Sequence, residues 1–203
     1  MTRRLTYDET VEALRHGRVV AVPTDTVYGV AAGVWSLLGV AALFALKRRP
    51  RDVALPVLVA GIDELSDLDV VLDERAQRLA GAFWPGALTL VVTAPPALAA
   101  AIGASDQSVG LRVPKDEALL ALLRDVGPMV VTSANDHGEP PCTSADEVLE
   151  VFAGRDGWAG VLDDGPRDGE VSTVLDARGE TWQVLRHGAI SESAIAEELA
   201  RPE

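Results

Sequence analysis

The stretch "RVVAVPTDTVYGVAAG", Arg18 to Gly33, decides how the chain is read. "RVVAVP" is a short apolar run, rich in valine, that enters a turn at Pro23, whose ring fixes φ. "TVYGVAAG" is a second strand-like run built from small residues. Between them Thr24, Asp25 and Thr26 offer three short hydrogen-bonding side chains at the point where two strands end. On its own this could equally be an ordinary polar turn.

The neighbours set the fold class. Upstream, Thr6-x-x-Glu9 is a capping-box pattern and Gly17 a helix stop, which predicts a helix over 7–16. Downstream, Ser36 is placed to cap a helix running to about Lys47, apolar nearly all round and therefore expected to be buried. "LPVLVA" (55–60) and "ALTLVV" (87–92) have the apolar character of buried strands, and "DERAQRLAGAFW" between them has helical spacing. "SVGLRVP" alternates as a strand should, "DEALLALLRDV" is an amphipathic helix, and "PMVVTSAN" is a strand running into a loop. A helix in "SADEVLEVFAG", strands near 159–163, 171–176 and 181–186, and a helix in "SESAIAEELA" complete the chain. Strands and helices alternate without strict βαβ regularity. The expectation is an α/β fold with a mixed, twisted sheet and helices packed on it. The acidic loop "LDDGPRDGE" reads as a flexible insertion.

Composition narrows the function. The apolar fraction of 48% excludes a disordered chain, and 203 residues suit one domain. The single cysteine, Cys142, permits no internal disulfide, which suggests a reducing compartment. The N-terminal residues carry acids and no apolar core, so they do not read as a signal peptide. The uncharged run Pro85–Ser105 is broken by Pro95, Pro96 and glycines and makes a poor membrane span. A soluble, cytoplasmic protein with no membrane partner is expected.

The net charge of −13 argues against a general binder of nucleic acid or anionic membrane. The charge is uneven, however, and no acid occurs between Thr26 and Arg51. That points to a local positive pocket for a small anion. Dinucleotide-fold and P-loop glycine patterns are absent, as is any Cys/His set with metal-ligand spacing, and a chain with three histidines offers little for a Ser-His-Asp triad.

Four segments place polar groups at expected strand ends. The first is "PTDTVYG" (23–29). The second is "KRRPR" (47–51), in a chain that writes sixteen of its eighteen cations as arginine yet has Lys47 here. It reads either as cations set against a helix C-terminus or as a phosphate clamp, with Lys47 a point charge, Arg49 a bidentate fork and Pro50 ending the helix. The third is "TSANDHGEPP" (132–141), with Ser133 and Asn135 at the end of an apolar strand. It is either a turn-rich loop or a strand-end ligand loop. The fourth pairs "VSTVLDA" (171–177) with "LRHGAI" (185–190), where Arg186 reads alone as a surface cation.

Together and in this order, "PTDTVYG", "KRRP", "FWPGALTLV" (83–91), "VGLRVP", "TSAN", "STVLD" and "LRHG" resemble the YrdC-like family of threonylcarbamoyl-AMP synthases, from about residue 7 to about 190. The resemblance implies an open α/β fold around a concave basic cavity. It also implies a nucleotidyltransferase that makes threonylcarbamoyl-AMP and pyrophosphate from ATP, L-threonine and bicarbonate with magnesium. That reaction is the first step of a tRNA modification next to the anticodon. Its implied partners are downstream tRNA threonylcarbamoyl-transferring proteins, with a weak contact to tRNA itself. Position by position, Lys47, Arg49, Ser133 and Asn135 match the family's cavity tetrad. Thr26, Arg112 and Ser172 match threonine-contacting positions, and Arg49, Ser108, Ser133 and Arg186 match nucleotide-contacting positions.

The chain departs from some relatives at Val53 and Leu58, where they carry Asn and His, at Pro141 in place of a Ser, and at His187 in place of a Pro. These changes bear on the fine geometry of nucleotide binding. The chain is expected to be the short form, a single domain over 1–203 without the C-terminal domain of longer relatives. Asp25 reads as a turn former or a base, with the turn former favoured, and Cys142 as a loop residue. The alternatives are an RNA-binding module of this fold without the activity, or a related carbamoyl- or nucleotidyl-transferring domain.

Overall fold

The computed structural model describes residues 3–50, 53–136, 138–179 and 181–201. Arg51 of the "KRRPR" cluster and His137 of the "TSANDHGEPP" loop lie outside the described residues. The ten strands are β1 (Arg4–Leu5), β2 (Val19–Pro23), β3 (Tyr28–Gly33), β4 (Val57–Leu58), β5 (Leu88–Thr93), β6 (Ser108–Arg112), β7 (Met129–Ser133), β8 (Trp158–Leu162), β9 (Thr173–Asp176) and β10 (Gln183–Arg186). They form one sheet in the order β1-β8-β2-β3-β7-β4-β6-β5-β9-β10. The sheet is mixed. The pairs β1–β8, β8–β2, β4–β6 and β5–β9 are parallel, and the other pairs are antiparallel.

The helices are α1 (Tyr7–Arg15), α2 (Leu37–Lys47), α3 (Glu74–Phe83), α4 (Pro96–Ile102), α5 (Glu117–Val126), α6 (Ala145–Val151) and α7 (Glu192–Ala200), with a 3-10 segment at Ile62–Leu68. The expected capping box is present: Thr6 accepts from the Glu9 amide, and the Glu9 carboxylate accepts from the Thr6 amide. Ser36 caps α2 through the Gly39 amide. Asp73, Asp116, Ser144 and Ser191 do the same for α3, α5, α6 and α7.

Three elements carry no signal that the sequence reading used. β1 is two residues long. α4 begins at a proline that suits a first helical turn but was read as a break. The 3-10 segment spaces Ile62, Leu65 and Leu68 three residues apart, the period of that helix, and buries Leu65 and Leu68. α2 also differs from expectation: Leu43 and Phe44 are buried, but Leu37 and Leu38 are 78% and 80% exposed. The helix packs along one side against β2, β3, β8 and α4, which leaves these two leucines of its first turn open to solvent. Among the described residues no helix is long and apolar enough to cross a membrane.

The core is continuous across the sheet. Val19, Val20, Val30, Leu43, Leu90, Leu111, Leu123 and Val130 are fully enclosed. Such packing sets the strand register, because a slip by one residue would exchange the buried and open faces.

Candidate active site

One face of the sheet is concave and holds a cavity of about 380 Å³. Strand periodicity explains its lining. Ser108, Gly110 and Arg112 alternate along β6, Thr89 and Val91 along β5, and Val131 and Ser133 along β7. Gly29 pairs with Ser133, and Leu58 with both Arg112 and Met129, so these rows share a face. The turn between β2 and β3 folds back over this face. Thr24 and Thr26 line the cavity, with their hydroxyl oxygens 2.9 Å apart.

Seven of the nine residues singled out from the sequence line this one cavity: Thr26, Arg49, Ser108, Arg112, Ser133, Ser172 and Arg186. Lys47 and Asn135 are buried just beyond it. The Lys47 ammonium donates to the Ser133 carbonyl and, at 2.8 Å, to Asn135 Oδ1. Asn135 Nδ2 in turn donates to the carbonyls of Asp136 and Glu139, so the pair fastens the loop after β7. The chain geometry separates Lys47 from Arg49. Arg48 takes the left-handed conformation (φ 50°) as the cap of α2, and the Arg49 amide bonds back to Phe44. Lys47 lies on the buried face of α2, in line with Val40, Leu43 and Phe44, and the reversal at Arg48 turns Arg49 into the cavity. Burial, then the charge of Arg49, pushes the Lys47 ammonium down to about 8.

The guanidiniums differ in their partners. Among the described residues Arg49 donates to the carbonyls of Val53 and Ala54. Arg186 donates to the Ser172 carbonyl at 2.8 Å and to its hydroxyl at 2.9 Å. It lines the cavity while remaining exposed to solvent, so it is more than the surface cation it resembles in isolation. Among the described residues neither arginine is paired with a carboxylate. Burial holds both below the usual arginine range, and the charge of Arg112 adds to the effect on Arg186. Arg112 is held by Gly86 O at 2.8 Å, Thr26 Oγ1 at 3.3 Å and Asp25 Oδ1 at 2.6 Å. Burial lowers its affinity for the proton, and Asp25 opposes that. Ser172 Oγ lies 3.0 Å from Thr89 Oγ1, which completes a polar row from Arg186 to β5.

Sequence reasoning missed several members. Asp106 and Arg178 line the cavity as an ion pair of 2.9 Å, and Asp106 Oδ1 accepts from the Ser108 hydroxyl at 2.6 Å. The D-x-S spacing at 106–108 is a signal that could have found Asp106 beside Ser108. Asp25 is more than a turn former: it is the counter-ion of Arg112. Of the departures, Leu58 lines the cavity, Val53 is 38% exposed and His187 is exposed. Pro141 is half-buried. Cys142 is buried, and burial together with Glu147 pushes its thiol up to about 11.

The acidic segment 163–170 is not a free insertion. Arg167 donates to Thr24 O at 2.8 Å and pairs with Asp116 and Asp164, and the Tyr28 hydroxyl donates to Gly165 O. Gly169 sits so close to the turn that an added Cβ would come within 2.8 Å of the Thr26 Cα. Gly188 lies equally tight on the backbone of 171–173, where any side chain would collide.

Residues 12–188 match the family model Sua5_yciO_yrdC, described as "Telomere recombination". The chain belongs to the Sua5/YciO/YrdC family. It is 41% identical over 190 residues to a putative threonylcarbamoyl-AMP synthase of Mycobacterium tuberculosis, covering 93% of this chain and 87% of that one. It is 40% identical over 185 residues to the threonylcarbamoyl-AMP synthase of Bacillus subtilis, covering 90% of this chain and 53% of the relative. Among solved structures it resembles Pyrococcus abyssi Sua5 complexed with L-threonine, with a TM-score of 0.89 and 32% identity over 98% of this chain and 60% of that one. The YrdC-like resemblance and the open mixed α/β sheet expected from the sequence are thus both borne out.

Proposed function

We propose that this chain is a threonylcarbamoyl-AMP synthase, a nucleotidyltransferase joining ATP, L-threonine and bicarbonate in the first step of tRNA threonylcarbamoyladenosine synthesis. The observation that carries the reading is the division of charge in one cavity. Arg49 and Arg186 have no carboxylate partner among the described residues, whereas Arg112 has Asp25. The relatives' names supply the reaction, and the cavity supplies groups suited to it.

The chemistry joins anions. Threonine's amine attacks the bicarbonate carbon, water leaves, and a carbamate forms. A carbamate oxygen then attacks the α-phosphorus, and pyrophosphate departs. Arg49 and Arg186 offset the repulsion between carbamate and triphosphate and stabilise the departing pyrophosphate. Ser133 and Ser108 hydrogen-bond the nucleotide, and Lys47 with Asn135 fixes the loop that presents Ser133. Arg112 takes the threonine carboxylate, while Thr26 and Ser172 take its polar groups. The gain comes from orientation and charge stabilisation, with no protein nucleophile.

Among the described residues no three His, Cys, Asp or Glu side chains converge on a metal position. Magnesium would enter with ATP as part of the substrate and would add to the neutralisation of phosphate charge that Arg49 and Arg186 provide. The product passes to tRNA threonylcarbamoyl-transferring proteins, and a cytoplasmic location suits that traffic. Pyrophosphate release tests the reading. It should require threonine and bicarbonate together, and release that ignores either one would count against it.

A further inference from the structure

Asp25 does more for Arg112 than fill a turn. The pair is 2.6 Å apart, and its side chains are only 8% and 13% exposed, so water and salt screen it weakly. Thr24 and Thr26 line the cavity, but Asp25 is not among the lining residues. Its carboxylate holds the far side of the guanidinium, and Gly86 and Thr26 fix the rest. Three of the five N–H donors of Arg112 are thereby engaged, and one on each terminal nitrogen remains for a ligand. The pair carries no net charge. A ligand that brought only negative charge would meet Arg112 and Asp25 together and gain little. A ligand that brought a carboxylate and an ammonium would leave the site balanced. Arg49 and Arg186, with no acidic partner among the described residues, present the opposite electrostatics and suit a polyanion.

We propose that Asp25 is the residue that makes the Arg112 position selective for a zwitterionic amino acid and keeps phosphate-type anions out of it. The carboxylate divides one basic cavity into two ligand classes, so that the nucleotide's phosphates do not occupy the amino acid's place. This inference rests on the reading given under Proposed function. It assigns Asp25 a positioning and specificity role through Arg112, with no contact to the reacting atoms.

The test is a calorimetric titration of threonine into the protein saturated with a non-hydrolysable ATP analogue, with and without excess inorganic phosphate. In the unaltered protein phosphate should leave the threonine affinity unchanged. In Asp25→Asn, which strips the charge and leaves Arg112 uncompensated, threonine should bind at least about tenfold more weakly and phosphate should now compete with it. Asp25→Glu keeps the charge at a longer reach, so it should weaken threonine binding while still excluding phosphate. A structural role alone would not create a new anion site. Competition by phosphate in the unaltered protein would overturn the proposal, as would admission of phosphate by Asp25→Glu or an unchanged threonine affinity in Asp25→Asn. If Asp25→Asn does not fold, the unaltered protein and Asp25→Glu still decide. An unaltered protein that binds no threonine at all would overturn the proposed function, and this inference with it.

Discussion

Arginines of one residue type behave differently here because their partners differ. Among the described residues Arg49 bonds only to backbone carbonyls, which leaves its charge for a ligand. Replacing it with alanine should lower kcat/KM by about 2–4 kcal/mol of transition-state stabilisation while threonine affinity holds. Steady-state kinetics on the purified, folded variant check this, and near-normal turnover would remove Arg49 from the nucleotide site. Lys47 shows what a sequence hides at this scale. A cation at the end of an apolar helix reads as an exposed cap, yet Lys47 is 2% exposed, because it lies on the buried face of α2 with Val40, Leu43 and Phe44 and reaches Asn135. Motif spacing indicated which residues gather. It did not separate Lys47, which helix phase places on the buried face of α2, from Arg49, which the left-handed Arg48 turns into the cavity. The Asp106–Arg178 pair escaped for a similar reason: its members are 72 residues apart and meet only across the folded sheet. Cys142 gives a second prediction. Its thiol is pushed up to about 11, mainly by burial, so at pH 8 it should alkylate at least about 100-fold more slowly than a free thiol. Labelling as fast as free cysteine would contradict the buried placement.

Elements with a strong local signal were readable from their chemistry. The capping box at Thr6 and Glu9 fixed the start of α1, and period-2 alternation in "SVGLRVP" placed Ser108 and Arg112 on one face of β6. Elements that depend on tertiary pairing were not. β1 exists because Arg4 and Leu5 pair with Val161 and Leu162, a contact that no local pattern announces. The segment 163–170 looks like a loose acidic loop because four carboxylates dominate it. Its order comes from one arginine, Arg167, which bonds a carbonyl of the β2–β3 turn. The cap at α1 is open to a direct check. Thr6→Ala removes the side-chain acceptor of the Glu9 amide and the hydroxyl donor to the Glu9 carboxylate, keeps the backbone half of the box, and should cost about 1 kcal/mol. Urea denaturation should show a lower midpoint with an unchanged slope. No shift in the midpoint would mean that water satisfies those amides equally well.

At the scale of the molecule, an acidic protein keeps a basic interior. The net charge is −13, yet the cavity is lined by four arginines and one carboxylate, Asp106. The acidic exterior disfavours polyanions in general, and the concave sheet face concentrates positive potential where a small anion can be enclosed. This sheet face unites residues from both ends of the chain, from Thr26 in the β2–β3 turn to Arg186 in β10. The central claim is that the cavity joins three specific molecules into one. The most direct measurement is mass spectrometry of the product after incubation with ATP, L-threonine, magnesium and 13C-labelled bicarbonate. The account predicts a new species with the mass of threonylcarbamoyl-AMP that retains the label and appears only when all three substrates are present. Finding no such species, or one that carries no carbon from bicarbonate, would contradict it.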